Sequence, residues 1–154
     1  MILASALALA SAQEPAPAAQ GPDGMIQLPA RQVTIHGTTV RYEPQPHKNT
    51  IGYWTKAADW VSWDFKLTQP GTFTVTLTQA CGKGSGGSEY RLSVGEQALT
   101  NTVADTGAFT NFVERVVGTV NLAHPGDYTL SVRPINKPGL AVMDLRAVTL
   151  KLQK

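Results

Sequence analysis

Apolar residues recur with a period of two along most of the chain. Phe73, Val75 and Leu77 alternate with Thr72, Thr74, Thr76 and Thr78, the pattern of a strand with one face in a core and one β-branched polar face in water. The same alternation runs through Val61, Trp63, Phe65; Tyr90, Leu92, Val94; Val116, Val120, Leu122; Tyr128, Leu130, Val132; and Val148, Leu150, Leu152. Turn signals separate these runs: Gln69-Pro70-Gly71, Gly82 to Ser88, Ala123 to Asp127, and Lys137-Pro138-Gly139. No long stretch holds a helical period, so nothing is available to cover a parallel sheet. About eight short strands between Gly/Pro turns therefore predict an all-β fold, an antiparallel β-sandwich of jelly-roll type. Met143 and Leu145 share one parity, whereas Val148, Leu150 and Leu152 share the other. A bulge or bend is expected around Arg146-Ala147, because an extra residue is what moves the apolar set to the opposite parity.

The amino end has no such alternation. Met1 to Ala12 is apolar and uncharged and ends in the small residues Ala10-Ser11-Ala12. It reads as a signal peptide over residues 1–13, although it lacks a basic start, and it places the protein outside the cytoplasm, secreted or periplasmic. At this length it is no membrane span, which needs ~20 apolar residues. Residues 14–24 (EPAPAAQGPDG) are a Pro, Ala and Gly spacer expected to be a disordered leader. Residues 25–154 form one domain, since a chain of 154 residues supplies a single core. Thirteen Lys+Arg against eleven Asp+Glu give a net charge of +2, and the basic residues are scattered, which argues against a nucleic-acid partner. Cys81 is the single cysteine; it is expected to be a small buried residue or to pair with another chain.

Catalytic signatures are missing. His36, His47 and His124 lie on separate segments with no zinc spacing. Cys81 to Ser88 (CGKGSGGS) lacks the upstream glycine of a phosphate loop, and Ser85 is not centred in a nucleophile elbow. Its low apolar content leaves this loop either mobile or held by its backbone. A glycosidase would need two carboxylates ~5 to 9 Å apart in a cleft, and the sequence marks no such pair. Aromatics are the outstanding feature: Tyr53, Trp54, Trp60 and Trp63 crowd into Ile51 to Phe65. Parity assigns Trp63 to the core and turns Trp60 the other way. Trp54 precedes the strand and is read either as a lid over the sandwich end or as a ring kept open for a partner.

The blocks Ile51-Gly52-Tyr53-Trp54-Thr55, Ala80 to Gly95, Asp105-Thr106-Gly107 with Phe109 and Phe112, and Lys137 to Leu150 resemble a module appended to secreted α-L-fucosidases and sulfatases of environmental bacteria, planctomycetes among them. The resemblance covers about residues 32–151. More loosely, the chain is similar to family 6 and family 35 carbohydrate-binding modules, which are galactose-binding-like jelly rolls. Such modules often hold a structural calcium, which the resemblance assigns to Glu43 and Asp144. The early strand here has one Glu where the family pattern has two, and Asp144 to Val148 is longer than the family segment. The competing reading pairs Asp144 with Arg41, Arg133 or Arg146. The resemblance places a sugar site among loops at one end of the sandwich. Tyr53 and Trp54 would form its platform, Phe109 or Phe112 a second wall, and Lys83, Glu89, Asn136 and Lys137 its polar contacts.

These residues imply a secreted, monomeric, non-catalytic carbohydrate-binding module. At ~0.3 kcal/mol per ligand heavy atom, glycan affinity would be micromolar or weaker. Lys83 and Lys137 would favour an acidic or sulfated glycan. The alternative is an accessory or scaffold domain that engages a secreted sulfatase or α-L-fucosidase and binds no sugar. An exposed Trp54 in a polar-rimmed cleft favours the first reading, and a buried Trp54 beside a broad apolar patch favours the second.

Overall fold

The computed structural model describes residues 15–154, so the expected signal peptide lies outside the described residues. The strands are, in order, β1 (Ala18–Ala19), β2 (Ile26–Pro29), β3 (Thr34–His36), β4 (Arg41–Glu43), β5 (Thr50–Gly52), β6 (Trp60–Leu67), β7 (Gly71–Cys81), β8 (Glu89–Val94), β9 (Gln97–Thr102), β10 (Ala108–Leu122), β11 (Gly126–Pro134) and β12 (Asp144–Leu152). They form two sheets. The first runs β1-β6-β11-β8-β9 with β3 also on β6; the second runs β10-β7-β12-β5-β4 with β2 also on β12. All pairings between these strands are antiparallel except β1 with β6.

The alternating residues fill the space between the sheets except Val116, which a register shift between Val116 and Gly118 leaves 69% exposed. Val61, Trp63, Phe65, Leu92, Leu130 and Val132 come from one side and Phe73, Val75, Leu77, Val148 and Leu150 from the other, all buried. Burying a large apolar side chain of this kind contributes roughly 1.5–3 kcal/mol, and the threonines of β7 are left half-covered on the outer face. The indole N–H of Trp63 donates to the Pro29 carbonyl at 2.8 Å, which meets the polar demand of a buried ring.

The bulge falls where the parity slip puts it. Leu145 sits opposite Gln79 and Ala147 opposite Thr78, so Arg146 is the extra residue and its side chain is turned off the sheet. At the sandwich's open side, Asn101 Nδ2 donates to the Val117 carbonyl at 3.0 Å and the Asn121 N–H donates to Gln97 Oε1 at 2.8 Å. Side-chain amides of β9 thus occupy backbone groups of edge strand β10 that would otherwise invite another chain.

The expected disordered leader is corrected from residue 15 onward. Ala18–Ala19 pairs in parallel with Phe65 and Lys66. Gln20 Oε1 accepts the N–H groups of Thr68 at 2.9 Å and Gln69 at 2.8 Å, while its Nε2 donates to the Gly24 carbonyl at 2.9 Å. Gly24 has a φ of +85° and its Cα lies against Leu152, where a Cβ would come within 2.7 Å of a methyl carbon. Composition argued for disorder, but one amide that caps the β6–β7 turn ties the segment down.

Candidate functional site

The chain leaves β5 through a strained residue. Tyr53 has a φ of +52°, a left-handed conformation that costs a non-glycine residue about 1–2 kcal/mol. The reversal sends neighbouring aromatics to opposite sides. Tyr53 is 51% exposed and Trp54 is 0% exposed. Trp54 is locked at both ends: its Nε1 donates to the Asp59 carbonyl at 2.8 Å, and its own carbonyl accepts the Val142 N–H at 2.8 Å. Trp54 as part of a sugar platform is therefore corrected. A sealed ring cannot stack on a ligand; of the two rings only Tyr53 is open, with the Arg41 guanidinium 3.7 Å from its ring centre.

Asp59 holds this corner. Its buried carboxylate accepts the N–H groups of Thr38, Thr39 and Val40 at 3.2, 2.9 and 3.1 Å and the Thr39 hydroxyl at 3.0 Å. Burial alone would raise its pKa, but these hydrogen bonds outweigh burial and hold the carboxyl below its usual value.

Beside Tyr53 lies a cleft of about 250 Å³, lined also by Thr55, Phe109, Leu140, Glu43, Lys48, Ala141 and Asp144. Phe109 is pressed against Gly82, where a Cβ would come within 2.4 Å of the ring, so only glycine at position 82 lets the ring settle there. The two residues assigned to calcium do meet, but around a lysine. Lys48 Nζ is 2.9 Å from Asp144 Oδ2 and 3.3 Å from Glu43 Oε2. An ammonium stands between the carboxylates, which corrects both the calcium assignment and the pairing of Asp144 with an arginine. No group of three or more His, Cys, Asp or Glu suited to a metal ion occurs among the described residues. Burial lowers the Lys48 pKa, but the hydrogen bond and charge of Asp144, followed by Glu43, outweigh it and hold the ammonium above its ordinary value. Asp144 is covered more deeply; burial pushes its carboxyl up, Lys48 opposes this, and Glu43 adds to it.

Arg146, freed by the bulge, braces the loop that carries Lys48. Its guanidinium donates to the Lys48 carbonyl at 2.8 Å and lies 3.6 Å from the Phe112 ring centre. Phe112 thus supports this brace and does not line the cleft. The other polar residues expected at the site lie elsewhere. Lys83 is exposed, and Lys137 Nζ is tied to the Gly139 carbonyl at 2.7 Å. The Glu89 N–H donates to Asn136 Oδ1 at 2.9 Å, and Asn136 Nδ2 faces Glu89 Oε2 at 3.4 Å. The structure therefore brings together Tyr53, Phe109, Glu43 and Asp144 and leaves out Trp54, Phe112, Lys83, Glu89, Asn136 and Lys137.

Sequence reasoning missed Lys48, Thr55, Leu140 and Ala141. Leu140 carried a weak signal, an apolar residue immediately after a Pro-Gly turn; Lys48 carried none. The Gly82–Ser88 loop is held by its neighbours. Asp105 accepts the N–H groups of Gly84 at 2.6 Å and Gly107 at 2.8 Å, and these bonds hold its carboxyl below the ordinary value. A Cβ at Gly86 would meet the Asp105 backbone at 2.8 Å, and one at Gly139 would meet Ser85 at 2.6 Å. Cys81 is a free buried thiol, pushed up to about 11 by burial and then by the charges of Asp105 and Asp144.

Residues 34–154 match the family model described as "Domain of unknown function (DUF5077)". No curated protein matches in sequence. Among solved structures, a family 35 carbohydrate binding module from Clostridium thermocellum superposes with a TM-score of 0.68 at 14% identity, covering 84% of this chain and 98% of that one. The C-terminal family 6 module of a laminarinase from Zobellia galactanivorans gives 0.66 at 18% identity, covering 82% and 98%. An α-L-fucosidase from Vibrio sp. strain EJY3 gives 0.55 at 14% identity, covering 89% of this chain and 24% of that enzyme. At these identities the likeness establishes the fold: the jelly-roll sandwich that the alternation predicted, shared with carbohydrate-binding modules as the resemblance implied.

Proposed function

The chain belongs to the DUF5077 family, and from that premise we propose that it is a secreted, non-catalytic carbohydrate-binding module whose site is the Tyr53–Phe109 cleft. The observation that carries this reading is Tyr53: a strained backbone keeps one tyrosine ring open at the mouth of a cleft with charged groups at its side. A pyranose offers an apolar C–H face to such a ring and hydroxyls to the carboxylate oxygens and the ammonium beside it. At about 250 Å³ the cleft is smaller than the ~300–1,000 Å³ typical of pockets that enclose a drug-sized ligand. It suits one or two sugar units held at micromolar affinity or weaker.

Two carboxylates in a cleft also invite a glycosidase reading. Here Lys48 stands between them and engages both, so neither is a free acid or base, and the geometry favours binding without hydrolysis. The scaffold alternative calls for a broad apolar patch. Of the exposed large hydrophobics Tyr53, Val116, Ile135 and Leu140, Tyr53 and Leu140 already belong to the cleft. The Lys48 ammonium and the Arg41 guanidinium balance the two carboxylates, which favours a neutral glycan over an acidic one at this site. A glycan array probed with wild type and Tyr53→Ala tests the reading. Binding by the wild type with at least a tenfold loss in the variant is expected; no glycan bound, or equal binding by both proteins, refutes it.

A further inference from the structure

The outer face of the first sheet carries a row of side chains that the cleft does not use. His36 on β3 stacks on Trp60 of β6 with ring centres 3.6 Å apart and planes 5° apart. From β11 on the other side, the Arg133 guanidinium lies 3.6 Å from the same ring centre. Both faces of Trp60 are covered, so no pyranose can stack there, and the indole instead fixes the position of a guanidinium.

Arg91 on β8 is the direct cross-strand partner of Arg133. Like charges directly opposite each other in a sheet repel and destabilise it. Both residues are exposed, and among the described residues the only ion pairs are those of Lys48. The nearest acid on this face, Glu89, is two residues from Arg91 and has its carboxylate turned to Asn136. The next rung of the same face presents two opposed hydroxyls, Ser131 and Ser93, short enough to leave the approach open. One guanidinium braced on an indole, a second opposite it without a carboxylate, and hydroxyls beside them form a donor surface lacking its acceptor.

We propose that Arg91 and Arg133 form a second binding site, for the oxyanion groups of an anionic polysaccharide. Sulfate esters and uronate carboxylates share the needed chemistry, several acceptor oxygens that match the guanidinium fork. The site is separate from the cleft and does not depend on sugar binding there.

The test measures binding of the full chain to immobilised dextran sulfate, polygalacturonate and neutral dextran at several salt concentrations. The wild type is expected to bind at least one anionic polymer, more weakly as salt rises, and to ignore dextran; which polymer binds identifies the sulfate or the carboxylate source. Arg91→Gln should cost at least fivefold with a Tm no lower than that of wild type, since Arg91 braces nothing and its loss relieves the repulsion from Arg133, and Arg91→Gln with Arg133→Gln at least tenfold. Arg115→Gln with Lys151→Gln removes the same charge from the other sheet and should stay within twofold of wild type. Binding of neither polymer, or an equal loss in the Arg115/Lys151 variant, overturns the proposal. If the arginine double variant fails to fold, Arg91→Gln alone decides: a loss under twofold overturns it.

Discussion

The cleft and the outer face of the first sheet each join an aromatic ring to charged groups, in opposite ways. In the cleft the charges are paired, Lys48 between Glu43 and Asp144, and Tyr53 stays half open. On the sheet face the ring is closed, Trp60 between His36 and Arg133, and the guanidinium groups are left without carboxylates. An open ring beside neutralised charge suits an uncharged ligand with an apolar face, and a closed ring beside open charge suits an anion. Composition does not separate the two regions, because each holds one or two aromatics and a few charges. What differs is which group has been given its partner.

That contrast can be broken from the cleft side first. Trp54→Ala should cost about 3–5 kcal/mol of stability, the range for truncating a buried Trp, read as a shift in urea midpoint; Tyr53→Ala should leave that midpoint nearly unchanged. Equal effects would mean that the two neighbours do not have opposite roles. Lys48→Met leaves two carboxylates facing each other and should destabilise by about 1–3 kcal/mol, between the values for exposed and buried pairs. Adding Glu43→Gln and Asp144→Asn should recover most of that loss. Calcium or a chelator should not move the Tm of the wild type, because the ammonium already fills the position between the carboxylates.

A comparable effect concerns pH. Asp59 titrates below the ordinary 3.8 in the folded protein. The stability its clasp contributes is therefore complete above that value and lost as pH falls through the folded pKa. Asp59→Asn should cost about 1–3 kcal/mol at neutral pH through a lost charge-assisted clasp and should flatten the acid limb of a denaturation curve. The smallest effect is chemical: with its thiol near 11, Cys81 should react with iodoacetamide at pH 8 far more slowly in the folded than in the urea-unfolded chain.

The sandwich was legible in the sequence because period-two alternation is itself a record of which face is buried. Trp63 inside, Trp60 outside and a bulge around Arg146-Ala147 all follow from parity. The cleft was only half legible, and the reasons are physical. A single left-handed residue, Tyr53, reverses the direction of the chain, so parity cannot say which of Tyr53 and Trp54 is outward. Glu43 and Asp144 were paired by resemblance, but the cation between them comes from a loop without periodicity and depends on a contact across 96 positions. Gln20 is similar: its hydrogen bonds reach 48 and 49 positions away, and local composition is silent about them.

The most direct test of the central claim is an amide NMR titration of the full chain with the neutral glycan that binds best on the array. Shifts are expected at Tyr53, Thr55, Phe109 and Ala141 and should be lost in Tyr53→Gly, a variant that relieves the left-handed strain and should stay within about 1 kcal/mol of wild-type stability. Shifts confined to the neighbourhood of Arg91 and Arg133, or a Tyr53→Gly protein that binds as tightly as the wild type, would contradict the claim.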